Sequence, residues 1–166
     1  LDLPILSLHQ YYGEAFSKET VHFGELPKGR FSTPLNDLVF LLKVVLCTSP
    51  ERVLEVGSYR GYTALLMAKH VGEETTIVTV DQKEDHGEAY RGSPYAEMID
   101  RRVGWTSEEM FAEDEDESYD VIYVDASHDY EAVKRDTEIL LPLLRSGGVI
   151  LWHDYANWGY FSGKNG

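Results

Sequence analysis

Acidic and imidazole side chains stand where the apolar runs of this chain stop. Glu55 interrupts Val53-Leu54-Glu55-Val56 just before Gly57, and Asp81 follows Thr75-Thr76-Ile77-Val78-Thr79-Val80. Asp125 follows Tyr119-Asp120-Val121-Ile122-Tyr123-Val124, and His153-Asp154 follows Val149-Ile150-Leu151-Trp152. Acids at such points can hold a cationic ligand or the hydroxyls of a ribose. At neighbouring strand ends, about 5 Å apart, they can share a hard divalent ion. His128, three residues after Asp125, carries a side chain that takes up a proton around pH 6.5.

The elements that must position these groups follow from pattern. Residues 53–56 read as a buried strand, Gly57 as a tight turn, and Ala64, Leu65, Met67 and Ala68 as the apolar face of a helix beginning after Gly61. Glycines let the backbone approach a ligand closely, and free amides at a helix start favour a carboxylate or phosphate. A second strand, 75–80, ends at Asp81, twenty residues beyond Gly61, where a doubly wound sheet holds a ribose. The dinucleotide fingerprint Gly-x-Gly-x-x-Gly is absent, since Ser58 follows Gly57 and the next glycine is Gly61. Glu55 also sets a negative charge beside the turn, which suits an ammonium or sulfonium ligand better than a diphosphate. An NAD-dependent oxidoreductase is disfavoured on both counts.

The 166 residues suffice for one domain with a real core and not for two ordinary ones. With 43% hydrophobic residues and no apolar run of membrane-spanning length, a soluble globular protein is expected. A net charge of −14 repels phosphate backbones and anionic lipid, so neither nucleic acid nor membrane is expected as a partner. Cys47 is the only cysteine, neither end shows a secretory leader, and a cytoplasmic location is expected. Cys47 itself reads as a small core residue of an apolar helix, and the acidic run 113–117 as a solvated loop.

Residues 1–32 predict one short helix and a loop, arranged as a lid. Thr33 is the expected cap and Pro34 the first residue of a helix carrying Leu35, Leu38, Val39, Leu42, Val45 and Leu46 on its inner side, ending at Thr48-Ser49-Pro50. Beyond Asp81, a short helix over 95–99 and a third strand over 102–105 are predicted. A helix capped by Ser107 follows, with Glu108 and Glu109 at its positive end. Strand 119–124 is apolar on both faces. After it the chain turns at 126–128 into a helix with Val133, Ile139, Leu140, Leu143 and Leu144 inward, Glu131 facing Arg135, and Pro142 disturbing its end. Ser146-Gly147-Gly148 stops that helix before a fifth strand, 149–152. The alternation predicts an α/β fold, a Rossmann-like doubly wound, mainly parallel sheet, with the acids gathered on the rim where such sheets bind ligands.

The pattern Glu55-x-Gly57-x-x-x-Gly61 with Asp81 resembles the first motifs of class I S-adenosylmethionine-dependent methyltransferases. The stretch from Tyr119 through Asp125-Ala126-Ser127-His128-Asp129-Tyr130, with Asp136 and Gly147-Gly148-Val149-Ile150-Leu151-Trp152-His153-Asp154, resembles the metal-dependent O-methyltransferases of the macrocin and mycinamicin type, and more distantly catechol O-methyltransferase. The likeness runs over residues 33–155. It implies S-adenosylmethionine as cofactor, with Glu55, Gly57 and Gly61 near its methionine part, Asp81 at the ribose, Ser107 and Glu108 by the adenine, and Asp125 also among the cofactor-binding residues. It implies His128 as the base that takes the acceptor's hydroxyl proton, and Mg²⁺ on Asp125 and Asp154. His153 stands where the macrolide-sugar enzymes carry a second carboxylate, and Tyr155 where the catechol enzymes carry asparagine. Imidazole is a poor Mg²⁺ ligand and a better one for transition metals. The ion is then Mg²⁺ or Mn²⁺ on Asp125, His153 and Asp154, or His153 serves the substrate, or no metal binds. Read without the likeness, His128 is a first-turn helix residue, Asp125 a cap and Asp154 a turn residue.

The expected enzyme is an O-methyltransferase acting on a hydroxyl of a small sugar-like or natural-product-like molecule; the alternative is a catalytically silent cofactor-binding or assembly domain. The sheet of that family has seven strands, and residues 156–166 are too short for the remainder. The chain therefore reads as a single domain 1–166 with a lid region, a core over 33–155 and a truncated tail. Its fifth strand is an open edge, covered by the rest of a longer enzyme or by a second copy in a homo-oligomer. Trp105 and Trp152 are expected in the core, while Trp158 is a candidate pocket residue.

Overall fold

Strands buried on both faces need helices on both faces, and the chain supplies them in alternation. The structure, a computed structural model, describes residues 6–24 and 33–154. Strands β1 (Arg52–Val56), β2 (Thr76–Asp81), β3 (Ile99–Val103), β4 (Tyr119–Val124) and β5 (Leu144–Trp152) form one sheet in the order β3-β2-β1-β4-β5. All four pairings are parallel. This is the expected Rossmann-like α/β arrangement, and its order reverses between β1 and β4.

Alternation along β1 divides the core. Val53 faces α3 (Leu35–Thr48) and α4 (Tyr62–Ala68) in a cluster with Leu38, Leu42, Met67 and Ile77. Leu54 and Val56 face the other way, with Val80, Phe111, Ile122 and, from α5 (Tyr130–Leu140), Leu140. The N-terminal segment forms two short helices rather than one, α1 (Leu8–Tyr12) and α2 (Glu14–Lys18), divided at Gly13 with φ +63°. They pack on α3, where Lys43 Nζ donates to the Phe16 carbonyl at 2.9 Å.

Several expected boundaries move, each for a local reason. Pro34 is extended (ψ 147°) and is itself the cap residue of α3, which leaves the Thr33 hydroxyl to pair with Thr63 at 3.2 Å. Cys47 is half-buried rather than core. The segment 95–99 winds only a 3-10 turn, Ala96–Met98, because β3 starts at Ile99 to pair with Ile77. No helix follows Ser107: its hydroxyl accepts from the Met110 amide at 3.1 Å, as a cap does, but the chain continues as turns. Phe111 is drawn into the core there, and Arg52 and Arg102 hold Asp114, whose side chain is 5% exposed. The acidic run is thus solvated except at Asp114. Arg135 turns to Asp136 (3.1 Å) instead of Glu131. The helix over 130–140 passes into a 3-10 turn, Leu141–Leu143, at Pro142. β5 begins ahead of the glycines and takes them in as a register shift opposite 119–121.

Asp120, at the opposite end of the sheet from the expected rim, is structural: its carboxylate accepts the amides of Glu51 and Arg52 at 2.8 and 3.0 Å and Arg145 at 2.7 Å. Tyr155, Trp158 and the tail lie outside the described residues.

The tightest point of the sheet is Gly57. Its φ is +99°, and a Cβ there would stand 1.9 Å from the Asp125 carbonyl oxygen. Gly57→Ala combines a left-handed backbone with a backbone clash and is expected to cost roughly 2–5 kcal/mol. Gly72→Ala, with nothing within 4 Å of the added carbon, is expected to stay near wild type; urea unfolding of both variants checks the contrast.

Candidate active site

Beyond the strands, backbone pairing continues by one step and fixes the rim. Gly57 N–H donates to the Val80 carbonyl (2.8 Å), Asp125 N–H to Val56 (2.8 Å), His153 N–H to Val124 (2.9 Å) and Gly104 N–H to Asp81 (2.9 Å). Around these residues, where the strand order reverses, lies a cleft of about 920 Å³ lined by Gly57, Tyr59, Asp81, Trp105, Thr106 and Asp125, among others. A smaller depression of about 580 Å³ shares Ala126 and Ser127 with it and is lined by His128, Trp152, His153 and Asp154. None of residues 6–24 lines either one.

Asp81 is held by two amides, Tyr59 N–H on Oδ2 (2.7 Å) and Lys83 N–H on Oδ1 (2.9 Å). A carboxylate oxygen has room for a second donor, so Asp81 stays available to ligand hydroxyls while it ties the β1–α4 turn to β2. Gly57, Asp81 and Asp125 therefore meet in one cleft. Glu55 and Gly61 do not line it. Gly61 caps α4 in the left-handed region and packs on Tyr90, where an added Cβ would be 2.6 Å from the ring. Ser107 and Glu108 are also absent from the lining, and their neighbours Trp105 and Thr106 take that place. Trp105, expected in the core, is 65% exposed; Trp152 is half-buried, with its indole N–H on Thr137 Oγ1 at 3.1 Å.

Glu55 lies beneath the cleft floor. It is fully buried beside Thr79, its register partner on β2, whose hydroxyl donates to Oε2; Oε1 has no hydrogen-bond partner. Burial, reinforced by the charges of Asp125 and Asp81, pushes its carboxyl up to about 8. At neutral pH the expected negative charge beside the turn is thus largely absent.

On the other side, Asp125 Oδ2 accepts from the Tyr123 hydroxyl at 3.2 Å and from Thr33 at 3.5 Å. Burial, then the Asp125 charge, raises the Tyr123 pKa and keeps it a donor. The His153 ring, 11% exposed, stands between carboxylates from three places in the chain. Its Nε2 is 3.0 Å from Asp37 Oδ2 on α3, and its Nδ1 is 3.0 Å from Asp125 Oδ1 and 3.6 Å from Asp154 Oδ2. Asp125 above all, with Asp154 and Asp37 adding, outweighs burial and raises the ring to about 9. Nδ1 is buried and its contact with Asp125 is an ion pair rather than a well-formed hydrogen bond. His128, in the turn before the Asp129 cap of α5, has Nδ1 3.8 Å from Asp154 Oδ2, and both side chains are more than half exposed. The rings of His128 and His153 are 6.3 Å apart.

With its pKa raised to about 9, the His153 ring stands among these carboxylates as a cation, and a protonated Nδ1 offers no lone pair to a metal ion. Among the described residues no group of three or more His, Cys, Asp or Glu side chains could hold a metal ion. Sequence reasoning missed Asp37, which lies 116 residues from His153 and carries no local signal. It also missed Tyr59 and Lys83, whose backbone amides rather than side chains act on Asp81.

The profile of a family described as a methyltransferase domain matches residues 54–155. The chain belongs to that methyltransferase-domain family. It is 26% identical over 160 residues to a caffeoyl-CoA O-methyltransferase of Populus kitakamiensis, covering 91% of this chain and 66% of that protein. An O-methyltransferase from Bacillus cereus, solved in complex with SAH, superposes with a TM-score of 0.63 at 25% identity, over 76% of this chain and 59% of that one. The O-methyltransferase TomG of Streptomyces achromogenes, involved in tomaymycin synthesis and solved with SAM, gives 0.65 at 16% identity, over 92% and 67%. The chain spans about two thirds of the length of these relatives or less. No helix among the described residues is long and apolar enough to cross a membrane.

The state of Glu55 has a measurable sign. Between pH 4.5, its ordinary value, and about 8, the folded protein keeps a proton that the unfolded chain has lost. Stability therefore falls as pH rises through that window, by up to about 1.4 kcal/mol per pH unit. Glu55→Gln is expected to lack this slope, matching wild type near pH 4.5 and exceeding it at pH 8; denaturant unfolding at both pH values measures the difference.

Proposed function

We propose that this chain is the cofactor-binding part of a SAM-dependent O-methyltransferase that methylates a hydroxyl of a small molecule. The observation that carries the reading is the meeting of Gly57, Asp81 and Asp125 in one cleft at the strand-order reversal, with His128 in the adjoining depression. Asp81 would take the ribose hydroxyls on the oxygen positions its two amides leave open. Gly57, with no side chain, admits the methionine part against the backbone. Trp105 and Thr106 face the cleft and are the groups available to the adenine, in place of Ser107 and Glu108.

His128 would act as the base. More than half exposed, its ring can accept the acceptor hydroxyl proton and return it to solvent. The oxygen then bonds to the methyl carbon as the sulfur–carbon bond breaks, leaving a neutral thioether and a methyl ether. Once that oxygen is deprotonated, alignment and exclusion of water are the chain's main contributions. Asp125 and Asp154 here face the His153 ring, whose positive charge would stand at the rim in the place of a divalent ion.

Calorimetry with S-adenosylhomocysteine tests the reading. Micromolar or tighter binding is expected, abolished by Asp81→Ala. His128→Gln is expected to keep that affinity while turnover of a hydroxylated acceptor falls about 10²–10⁴-fold. A chain that ignores S-adenosylhomocysteine, or a His128→Gln variant with undiminished turnover, would overturn it.

A further inference from the structure

We infer that Asp136 reads the base of the bound cofactor: from the inner face of α5 its carboxylate accepts a hydrogen bond from the exocyclic amine of an adenine set against Trp105 and Thr106. The inference rests on the methyltransferase reading and names a specificity-determining residue within it.

An acid is out of keeping with this place in the helix. Val133, Asp136 and Leu140 recur at i, i+3 and i+7, the spacing of one helix face. Asp136 and Leu140 are the buried residues of α5. A carboxylate in such a stripe costs stability unless it is well paired, and an apolar side chain would serve the packing better. The pairing it has is incomplete. Arg135 donates to Oδ1 at 3.1 Å, but the arginine side chain is itself 55% exposed, and adjacent residues of a helix do not naturally face each other. Among the described residues no other group donates to this carboxylate. Burial raises its pKa, and the Arg135 guanidinium works against that rise.

The surroundings supply a reason for keeping it. Asp136 lines the cleft of about 920 Å³ together with Ala132 and Arg135 of α5, and the segment after β3 brings Gly104, Trp105 and Thr106 to the same cleft. Both walls lie on one side of the sheet, since Leu140, one turn beyond Asp136, packs in one cluster with Phe111. A flat base entering beside Trp105 has an aromatic face to lie on, which leaves its polar edge for α5. Purine edges differ there: adenine presents an amine, which donates, whereas hypoxanthine presents a carbonyl, which accepts. An ionised carboxylate accepts and cannot donate. It therefore pairs with the first and meets the second oxygen to oxygen.

Calorimetry on the whole chain tests this with two ligands, S-adenosylhomocysteine and S-inosylhomocysteine, its analogue with a carbonyl in place of the amine. Wild type is expected to hold the adenine form about 10–100-fold more tightly. Asp136→Asn, whose amide both accepts and donates, is expected to bring the two affinities together. Asp136→Leu, which extends the apolar stripe and is expected to keep the fold, is expected to lose the same preference. A residue that only braced α5 would leave the ratio of the two affinities unmoved. A wild type that binds both ligands equally, or variants that keep the wild-type ratio, would overturn the inference and leave the methyltransferase reading standing. A wild type that binds neither ligand would overturn both.

Discussion

Backbone hydrogen bonds that run one residue past the strands hold the working end of this protein together. Because Asp125 is paired to Val56 and His153 to Val124 through the main chain, the side chains there are placed by the sheet and not by flexible loops. The same pairing brings Glu55, Asp81, Asp125 and Asp154 toward one margin of a chain that already carries a net charge of −14. Like charges gathered this way oppose folding unless each is dealt with.

Each acid is accommodated differently, and the differences divide the labour. Glu55 gives up its charge by burial against Thr79 and becomes part of the floor. Asp81 keeps oxygen positions open at the cleft because two amides support it without covering it. Asp125 is braced by Tyr123 and faces an imidazole. Asp154 stays in solvent, beside His128. Carboxylates elsewhere have plainer roles: Asp114 and Asp120 are bound by arginines and amides and lock the opposite end of the sheet. A ligand-binding acid here is one with unsatisfied capacity at the rim, and type alone does not reveal it.

That distinction also marks what the sequence made legible. The runs ending at Asp81 and Asp125 announced themselves because buried parallel strands are continuously apolar, and so the fold and the rim positions could be read. Helix starts fared worse: Thr33 and Ser107 have capping chemistry, yet Pro34, extended, is itself the cap of α3, and the burial of Phe111 and the ion pairs of Asp114 leave turns after Ser107. The inward turn of Glu55 follows from strand alternation, since Val53 and Glu55 share a face; its neutrality depends on helices packed from elsewhere. Trp105 was misjudged because a large aromatic after a strand looks like core until the cleft beside it is seen. Asp37 was beyond reach, as only the folded chain brings α3 to the end of β5.

A crystal structure of the chain with S-adenosylhomocysteine tests the central claim most directly. The account expects the ligand in the cleft between Gly57 and Asp125, with its ribose hydroxyls within hydrogen-bond distance of Asp81 and its sulfur at the end nearer His128. A ligand seated on another face, or one lying in the cleft with its ribose away from Asp81, would contradict it.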